Sequence, residues 1–196
     1  HINKVVLRPN WVKVNITKDF SERYTNKIIS VGRLEKQKDY GFLIKGLKKT
    51  DYQLDIFGEG TLKDELISLS KANGLELQIN EPVSNKALLE VLNNYKVFIS
   101  TSKFEGNPKA VLEAMGSGCI VVARKNENIK EIISNNVNGF LINDENELRK
   151  IVNKILKDEI DFENISKNAI EFVLNNNSLE KFIMDEFKEY QRLNSS

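Results

Sequence analysis

The chain has 196 residues, which is enough for one domain with a sizeable core or for two small ones. Hydrophobic residues make up 40% of it and charged residues 29%, and no run approaches the roughly 18 apolar residues of a membrane-spanning helix, so an integral membrane protein is excluded. The 29 basic and 28 acidic side chains nearly cancel, so we expect no nucleic-acid partner.

The single cysteine and the single histidine exclude several chemistries. One cysteine cannot form an internal disulfide, which is typical of a reducing compartment such as the cytoplasm. A zinc site needs three or four Cys, His or carboxylate ligands, and the usual set is absent, so we expect no metal site. A hydrolytic triad would have to use His1 at the terminus, and we disfavour it for that reason.

Short β-branched runs alternate with amphipathic stretches along the chain. In chain order, the predicted strands are Lys27–Val31, Tyr52–Phe57, Leu75–Ile79, Lys96–Ser100, Cys119–Ala123 and Gly139–Ile142. The predicted helices are Asp39–Lys49, Thr61–Ala72, Asn85–Asn94, Pro108–Gly116, Glu127–Ser134, Glu145–Lys157, Glu163–Leu174 and Leu179–Leu193. This alternation predicts βαβ units, and therefore an α/β fold in which helices cover both faces of a parallel sheet.

Two common nucleotide-binding motifs are each incomplete in this sequence. Gly58-Glu59-Gly60 follows a predicted strand as in a dinucleotide fingerprint, but Lys63 stands where the third glycine is needed. A P-loop spacing begins at Gly41, but Leu47 replaces the essential lysine inside a predicted helix. The sequence therefore supports neither NAD binding nor P-loop ATP hydrolysis.

Candidate binding residues follow the first predicted strand, because open parallel sheets bind ligands at the carboxyl ends of their strands. Arg33 and Lys38 flank a turn that begins at Gly32, and two cations in that arrangement can hold a diphosphate. The alternative is that Lys38 and the neighbouring lysines only solvate a helix face. Spacing alone favours this second interpretation.

The segment after the fourth predicted strand, Thr101–Gly118, is denser in candidates. Glu105 lies in the loop that leaves the strand, and Pro108 begins a helix whose free N–H groups form an anion site. Glu113 stands among apolar residues of that helix and so needs a partner. Two partners remain open: the vicinal hydroxyls of a ribose or hexose, or a neighbouring loop that Glu113 braces.

The two glutamates stand as Glu-x7-Glu within S-x-x-E-G-x-P-x-x-x-L-E-A-M-x-x-G, and this pattern resembles the donor-binding domain of retaining GT-B glycosyltransferases of the family-4 type. VGRLEKQKDYGFLIKGL is similar to the V-G-R-L-x-x-x-K-G segment of that family, and LDIFGEGTLKDEL and EIISNNVNGFLI match later segments in order. The resemblance runs from Arg8 to Ile155. It implies one half of a GT-B fold: a Rossmann-like three-layer αβα domain with a six-stranded parallel sheet and C-terminal helices.

The resemblance also implies roles for individual residues. Arg33 and Lys38 would hold the diphosphate of a nucleotide sugar, and Glu113 would accept hydrogen bonds from the ribose. Glu105 would contact the transferred sugar as a donor-positioning and catalytic carboxylate. The other implied substrate contacts are Val83 beside the base and the backbone of Asn107, Lys109 and Ala110. No metal or other cofactor is implied.

The implied domains are an interdomain segment (1–26), the nucleotide-sugar donor-binding domain (27–160) and the C-terminal helices (161–196). We expect a UDP-sugar donor and an acceptor for surface polysaccharide, lipopolysaccharide or glycolipid. Because the chain does not begin with Met, we expect a fragment. The resemblance implies that an acceptor-binding domain precedes it, so we expect this chain to transfer nothing by itself. The full-length protein would act in the cytoplasm, at the inner face of the membrane with peripheral association.

The alternative is a degenerate glycosyltransferase-like module with a binding or scaffold role. The usual Gly-Gly before E-I-I is missing, since residues 125–130 read KNENIK, and this slightly favours the scaffold. The paired cations and the two acids argue against it, because a scaffold does not need them.

Overall fold

Six strands form one parallel sheet in the computed structural model, which describes residues 10–106 and 108–194. The strands are β1 Tyr24–Val31, β2 Gln53–Phe57, β3 Glu76–Asn80, β4 Tyr95–Ser100, β5 Ile120–Arg124 and β6 Phe140–Ile142. Their order across the sheet is β3-β2-β1-β4-β5-β6, and every neighbouring pair is parallel. This is the strand order of a doubly wound Rossmann fold, and it confirms the predicted fold class.

Eight α-helices are described, after a short 3-10 helix at Phe20–Glu22. They are α1 Tyr40–Gly46, α2 Lys63–Ala72, α3 Asn85–Leu92, α4 Lys109–Gly116, α5 Glu127–Lys130, α6 Glu145–Leu156, α7 Phe162–Asn177 and α8 Leu179–Asn194. None of the helices that the structure describes combines the length and apolarity needed to cross a bilayer.

The sheet has an apolar layer on each face because successive residues of a strand point to opposite sides. Ile28 belongs to the layer covered by α1, α2 and α6, whereas Ile29 belongs to the layer covered by α3, α4 and α7. Val97 and Phe98 divide in the same way on β4, and all four side chains are at most 1% exposed. Burial on both faces explains the almost unbroken apolar character of the central strands.

Helix α5 is shorter than the predicted Glu127–Ser134, and a buried asparagine accounts for the difference. Asn138 donates from Nδ2 to the carbonyl of Ile132 at 3.0 Å and accepts from the N–H of Ser134 at 2.8 Å. These backbone groups are therefore bonded to a side chain instead of continuing the helix.

Helix α7 is longer than the predicted Glu163–Leu174, and the N-terminal segment pairs with its C-terminal end. The N–H of Val12 donates to the carbonyl of Asn177 at 2.8 Å, and Nδ2 of Asn177 donates to the carbonyl of Asn10 at 2.9 Å. The segment around Val12 is thus packed on the same domain as the sheet.

The strand order places a crevice at one point of the sheet. The chain runs outward from β1 to β3, then returns to lay β4 against the other side of β1. The loops after β1 and β4 therefore leave adjacent strands in opposite directions, and ligands of such folds bind between them.

Candidate functional site

The loops after β1 and β4 are hydrogen-bonded to each other across the crevice. Thr101 Oγ1 donates to the carbonyl of Lys38 at 2.9 Å, and the N–H of Lys103 donates to the carbonyl of Gln37 at 3.0 Å. Gln37 Nε2 in turn donates to the carbonyl of Phe104 at 2.8 Å. The predicted cation loop and the predicted acidic loop therefore form one connected surface.

Lys38 and Glu105 form an ion pair at the centre of this surface. Lys38 Nζ lies 2.5 Å from Glu105 Oε1, and Glu105 is only 8% exposed. The half-buried Asn128 of α5 donates from its amide to the carbonyl of Glu105, which fixes the loop from the other side. The pair gives the crevice a cation for phosphate and a carboxylate for hydroxyl groups.

Arg33 lines a cavity of about 270 Å³ next to this pair. The lining also includes the turns after β2 and β3, and it comprises Val31, Gly32, Arg33, Phe57, Gly58, Glu59, Pro82, Val83 and Leu88. Arg33 and Val83, predicted for the diphosphate and for the base, thus share one cavity. Its mix of apolar walls and a guanidinium suits a flat heterocycle with an anionic group attached.

Glycines allow the turns around this cavity to approach each other. A Cβ on Gly58 would lie 2.0 Å from the carbonyl oxygen of Gly32, and Gly32 itself has a φ of 152°, which L side chains rarely adopt. Tyr40 OH donates to the same carbonyl at 3.1 Å. Gly58-Glu59-Gly60 thus supports close contact between the turns after β1 and β2.

Glu113 lies on α4 and is 4% exposed. Its Oε1 accepts a hydrogen bond from Nδ2 of Asn85, the first residue of α3, and lies 3.5 Å from Lys109 Nζ. Burial raises the pKa of Glu113, whereas the charge of Lys109 and the hydrogen bond from Asn85 lower it. The carboxylate therefore braces α3 against α4, which is one of the two partners left open by the sequence.

Glu113 also lines a second cavity, of about 490 Å³, whose lining adjoins that of the Arg33 cavity on α3, where Leu88 lines one and Leu89 the other. Its walls come from the N-terminal segment, α3 and α4, and they comprise Asn10, Trp11, Val12, Lys13, Asn85, Lys86, Leu89, Lys109 and Glu113. A brace and a ligand contact are therefore compatible at this carboxylate, since it has two oxygens.

The structure brings most of the predicted site residues to the carboxyl edge of the sheet, in three groups. Lys38 pairs with Glu105, Arg33 and Val83 share one cavity, and Lys109 and Glu113 share another. Ala110 is half-buried and packs against the apolar layer under α4. Asn107 lies outside the described residues. Within residues 10–106 and 108–194, no three His, Cys, Asp or Glu side chains group as metal ligands.

Sequence reasoning missed the residues that hold the site in place. Asn85, Asn128 and Tyr40 each support a predicted site residue or its turn through one hydrogen bond. A signal existed for Asn85, because Ser84 caps α3 and so fixes the orientation of the next residue. Asn126 caps α5 in the same way, two residues before Asn128.

A family described as glycosyl transferases group 1 matches residues 15–172 of the chain. The match covers every element from the 3-10 helix to most of α7, including the crevice and the Arg33 cavity. The chain therefore belongs to this glycosyltransferase family, and its fold is that of the GT-B glycosyltransferases, as the resemblance implied.

Two curated relatives are bacterial glycosyltransferases about three times as long as the matched region. A Campylobacter jejuni N-acetylgalactosamine-N,N'-diacetylbacillosaminyl-diphospho-undecaprenol 4-alpha-N-acetylgalactosaminyltransferase is 35% identical over 129 residues, which are 61% of this chain and 34% of the relative. A Staphylococcus aureus poly(ribitol-phosphate) alpha-N-acetylglucosaminyltransferase is 30% identical over 159 residues, which are 76% of this chain and 31% of the relative. The chain thus spans about a third of the length of these relatives.

Solved structures share the fold at lower sequence identity. A mutant of S. aureus TarM, crystallised with fondaparinux, alpha-GlcNAc-glycerol and UDP, superimposes with a TM-score of 0.78 at 24% identity, over 91% of this chain and 38% of TarM. Anabaena HepE in complex with UDP and glucose gives a TM-score of 0.76 at 21% identity, over 90% of this chain and 49% of HepE. The C-terminal domain of Francisella tularensis LpcC gives a TM-score of 0.67 at 24% identity, over 78% of this chain and 87% of that domain.

Proposed function

We propose that the chain is the donor-binding half of a retaining glycosyltransferase that takes its sugar from a UDP-sugar. The observation that carries the proposal is the Lys38–Glu105 ion pair, which lies at the crevice beside the Arg33 cavity. A scaffold module would have no use for a largely buried cation and carboxylate at this point. The names of the curated relatives, and the UDP bound by TarM and HepE, support the same assignment.

The charged side chains at the crevice suit cleavage of the bond between the sugar and the diphosphate. Loss of the sugar leaves negative charge on the departing diphosphate, which Arg33, Lys38 and the N-terminus of α4 would stabilise. Glu105 would position the sugar and act as the catalytic carboxylate, and Glu113 would accept hydrogen bonds from the ribose. Val83 would lie beside the base.

Two more of the predicted contacts, Lys109 and Ala110, lie in the first turn of α4, and Asn107 is the third. The backbone of Asn107, Lys109 and Ala110 would approach the sugar and the phosphates. Free N–H groups at the first turn of a helix are suited to this role because they have no intrahelical partner.

The acceptor is proposed to bind through a second domain, so that this chain alone binds donor but transfers nothing. Acceptors for surface polysaccharide, lipopolysaccharide or glycolipid fit the relatives, of which one is named for a diphospho-undecaprenol substrate. An acceptor of that kind would place the full-length enzyme at the inner, cytoplasmic face of the membrane.

Calorimetric titration with UDP, GDP, ADP and their sugars tests the proposal. We expect UDP and one or more UDP-sugars to bind. Arg33→Ala should lower the affinity for UDP about tenfold, the effect of losing one charge-assisted contact. Lys36→Ala is the matched control, because Lys36 is an exposed cation of the same loop that lines neither cavity. Absence of binding by every nucleotide would favour the scaffold alternative instead.

A further inference from the structure

Asn85 and Glu113 join two helices that belong to different βαβ units. Asn85 is the first residue of α3, which follows β3, and Glu113 lies in α4, which follows β4. The amide nitrogen of Asn85 donates to Oε1 of Glu113 across a separation of 28 residues. Asn85 itself is exposed, so its side chain is held by this contact rather than by burial.

The contact engages one of the two carboxylate oxygens of Glu113 and leaves the other for a ligand. Within the described residues, both donors to Glu113 reach the same oxygen, since Lys109 Nζ also lies 3.5 Å from Oε1. A carboxylate can accept on both oxygens. Oε2 is therefore the oxygen that a ligand hydroxyl can use.

Ionisation of Glu113 depends on the same contact. A carboxyl group that is 4% exposed is held toward its neutral form by burial, and a neutral carboxyl accepts hydrogen bonds less strongly. The charged groups facing it are Lys109 on α4, Lys86 on α3 and Lys13 in the N-terminal segment, and all three line the same cavity. The charge of Lys109 opposes the effect of burial on the pKa of Glu113, and the direct hydrogen bond from Asn85 favours the charged form as well.

We propose that Asn85 is a positioning residue for nucleotide binding: its amide occupies Oε1 of Glu113 and leaves Oε2 for the ribose hydroxyls. This inference rests on the proposed function, because it takes the ribose as the ligand of Glu113. An asparagine suits the role, whereas an aspartate at position 85 would bring a second acceptor and a second negative charge to Glu113.

The first experiment observes Glu113 without any ligand. NMR of the carboxyl carbon of Glu113 follows its titration in the wild-type chain, in Asn85→Ala and in Asn85→Asp. Both substitutions are expected to move the midpoint to higher pH, more so for aspartate. Asn146→Asp, an exposed asparagine in the first turn of α6, is the matched control and should leave the midpoint in place. An unmoved midpoint in Asn85→Ala would overturn the inference.

The second experiment tests the division of oxygens with UDP and 2′-deoxy-UDP at neutral pH. Wild type should bind UDP more tightly than 2′-deoxy-UDP. Asn85→Ala should lower the affinity for UDP about tenfold, the effect of one hydrogen bond to a charged group. The same substitution should lower the affinity for 2′-deoxy-UDP much less. An equal loss for both nucleotides would contradict the positioning role.

The two experiments separate this inference from the proposed function. If wild type binds no uridine nucleotide, the proposed function fails, while a moved Glu113 midpoint still supports the control of Glu113 by Asn85. In another outcome, wild type binds UDP and Glu113→Gln weakens UDP binding, but Asn85→Ala changes neither the titration midpoint of Glu113 nor the preference for UDP over 2′-deoxy-UDP. The proposed function then stands and the inference fails.

Discussion

Arg124 Nη1 lies 2.7 Å from Asp39 Oδ2 and so joins the end of β5 to the residue after Lys38. Asp39 has a φ of 48°, in the left-handed region, at a position where the resembled segment V-G-R-L-x-x-x-K-G has glycine. Lys103 Nζ approaches the same carboxylate oxygen at 3.4 Å, and the Arg124 guanidinium lies over the ring of Phe42. Side-chain contacts therefore hold a backbone conformation that glycine would adopt at little cost.

Substitution of Asp39 tests this balance. Asp39→Ala keeps the left-handed backbone and loses a half-exposed ion pair, so we expect a loss of about 1–2 kcal/mol in the free energy of unfolding. Asp39→Gly loses the same ion pair but relieves the backbone, and it should stay within about 1 kcal/mol of wild type. Urea unfolding of the two variants provides the measurement. A glycine variant less stable than the alanine variant would contradict the argument.

Substitution of Gly58 tests the close approach of the turns after β1 and β2. The added methyl group of Gly58→Ala would lie 2.0 Å from the carbonyl oxygen of Gly32, so the backbone must shift. We expect a stability loss of about 1–3 kcal/mol, as for other overpacked sites, together with weaker UDP binding.

Gly41→Ala is the matched control for Gly58→Ala. Its Cβ would lie 3.7 Å from the nearest atom, Leu69 Cδ2, which is ordinary contact. Because Gly41 lies within α1, alanine should stabilise the chain by up to about 1 kcal/mol. Thermal unfolding and UDP titration of both variants check the pair, and equal effects would contradict it.

The buried hydrogen bond between Tyr95 and Asp55 is expected to stabilise the folded chain. Tyr95 OH donates to Asp55 Oδ2 at 2.5 Å, and Tyr95→Phe would leave this oxygen without its donor. We expect a loss of about 1.5–3 kcal/mol, the range for a hydrogen bond to a charged group. Tyr52→Phe, which removes a partly exposed hydrogen bond to Asn153, should cost less in the same urea experiment. A larger loss for Tyr52→Phe would contradict this.

The same tyrosine predicts how stability changes at alkaline pH. Burial raises the pKa of Tyr95, and the hydrogen bond to Asp55 raises it further. The folded state therefore holds a proton that the unfolded chain releases near pH 10. This stabilisation is complete below that pH and is lost as the pH rises above it. Unfolding measured from pH 8 to 11 should show a smaller alkaline loss for Tyr95→Phe than for wild type.

Lys38 predicts a difference between ligands with and without a diphosphate. In Lys38→Ala the affinity for UDP should fall about tenfold, the effect of one charge-assisted contact, whereas the affinity for uridine should hardly change. Lys36→Ala should affect neither ligand. Calorimetry with UDP and uridine gives the measurement, and an equal loss for both would place Lys38 away from the phosphates.

The sequence predicted the sheet well because its signals are local. Apolar runs such as β4 and β5 are strands whatever their partners, and the order of elements implies the parallel topology. The acidic motif predicted Glu105 and Glu113 as site residues, and the structure pairs the first of them with Lys38, which is 67 residues away along the chain. A motif of residues close in sequence is therefore readable, whereas the pairing between two distant segments is not.

The supporting contacts were not predictable, since they join residues that are far apart along the chain. Asn128 reaches the Glu105 loop across 23 residues, and Arg124 reaches Asp39 across 85. Neither residue type marks such a contact, because exposed asparagines and arginines occur throughout the sequence. The end of α5 was predicted wrongly because it depends on the hydrogen bonds of the Asn138 side chain to the backbone of Ser134 and Ile132.

The hydrogen bonds between the loops after β1 and β4 limit how this domain can be engineered. Main-chain and side-chain groups of Gln37 are matched to partners in Lys103 and Phe104. A chimera that replaces only one of the two loops would remove the partners of these bonds. The two loops should therefore be exchanged together.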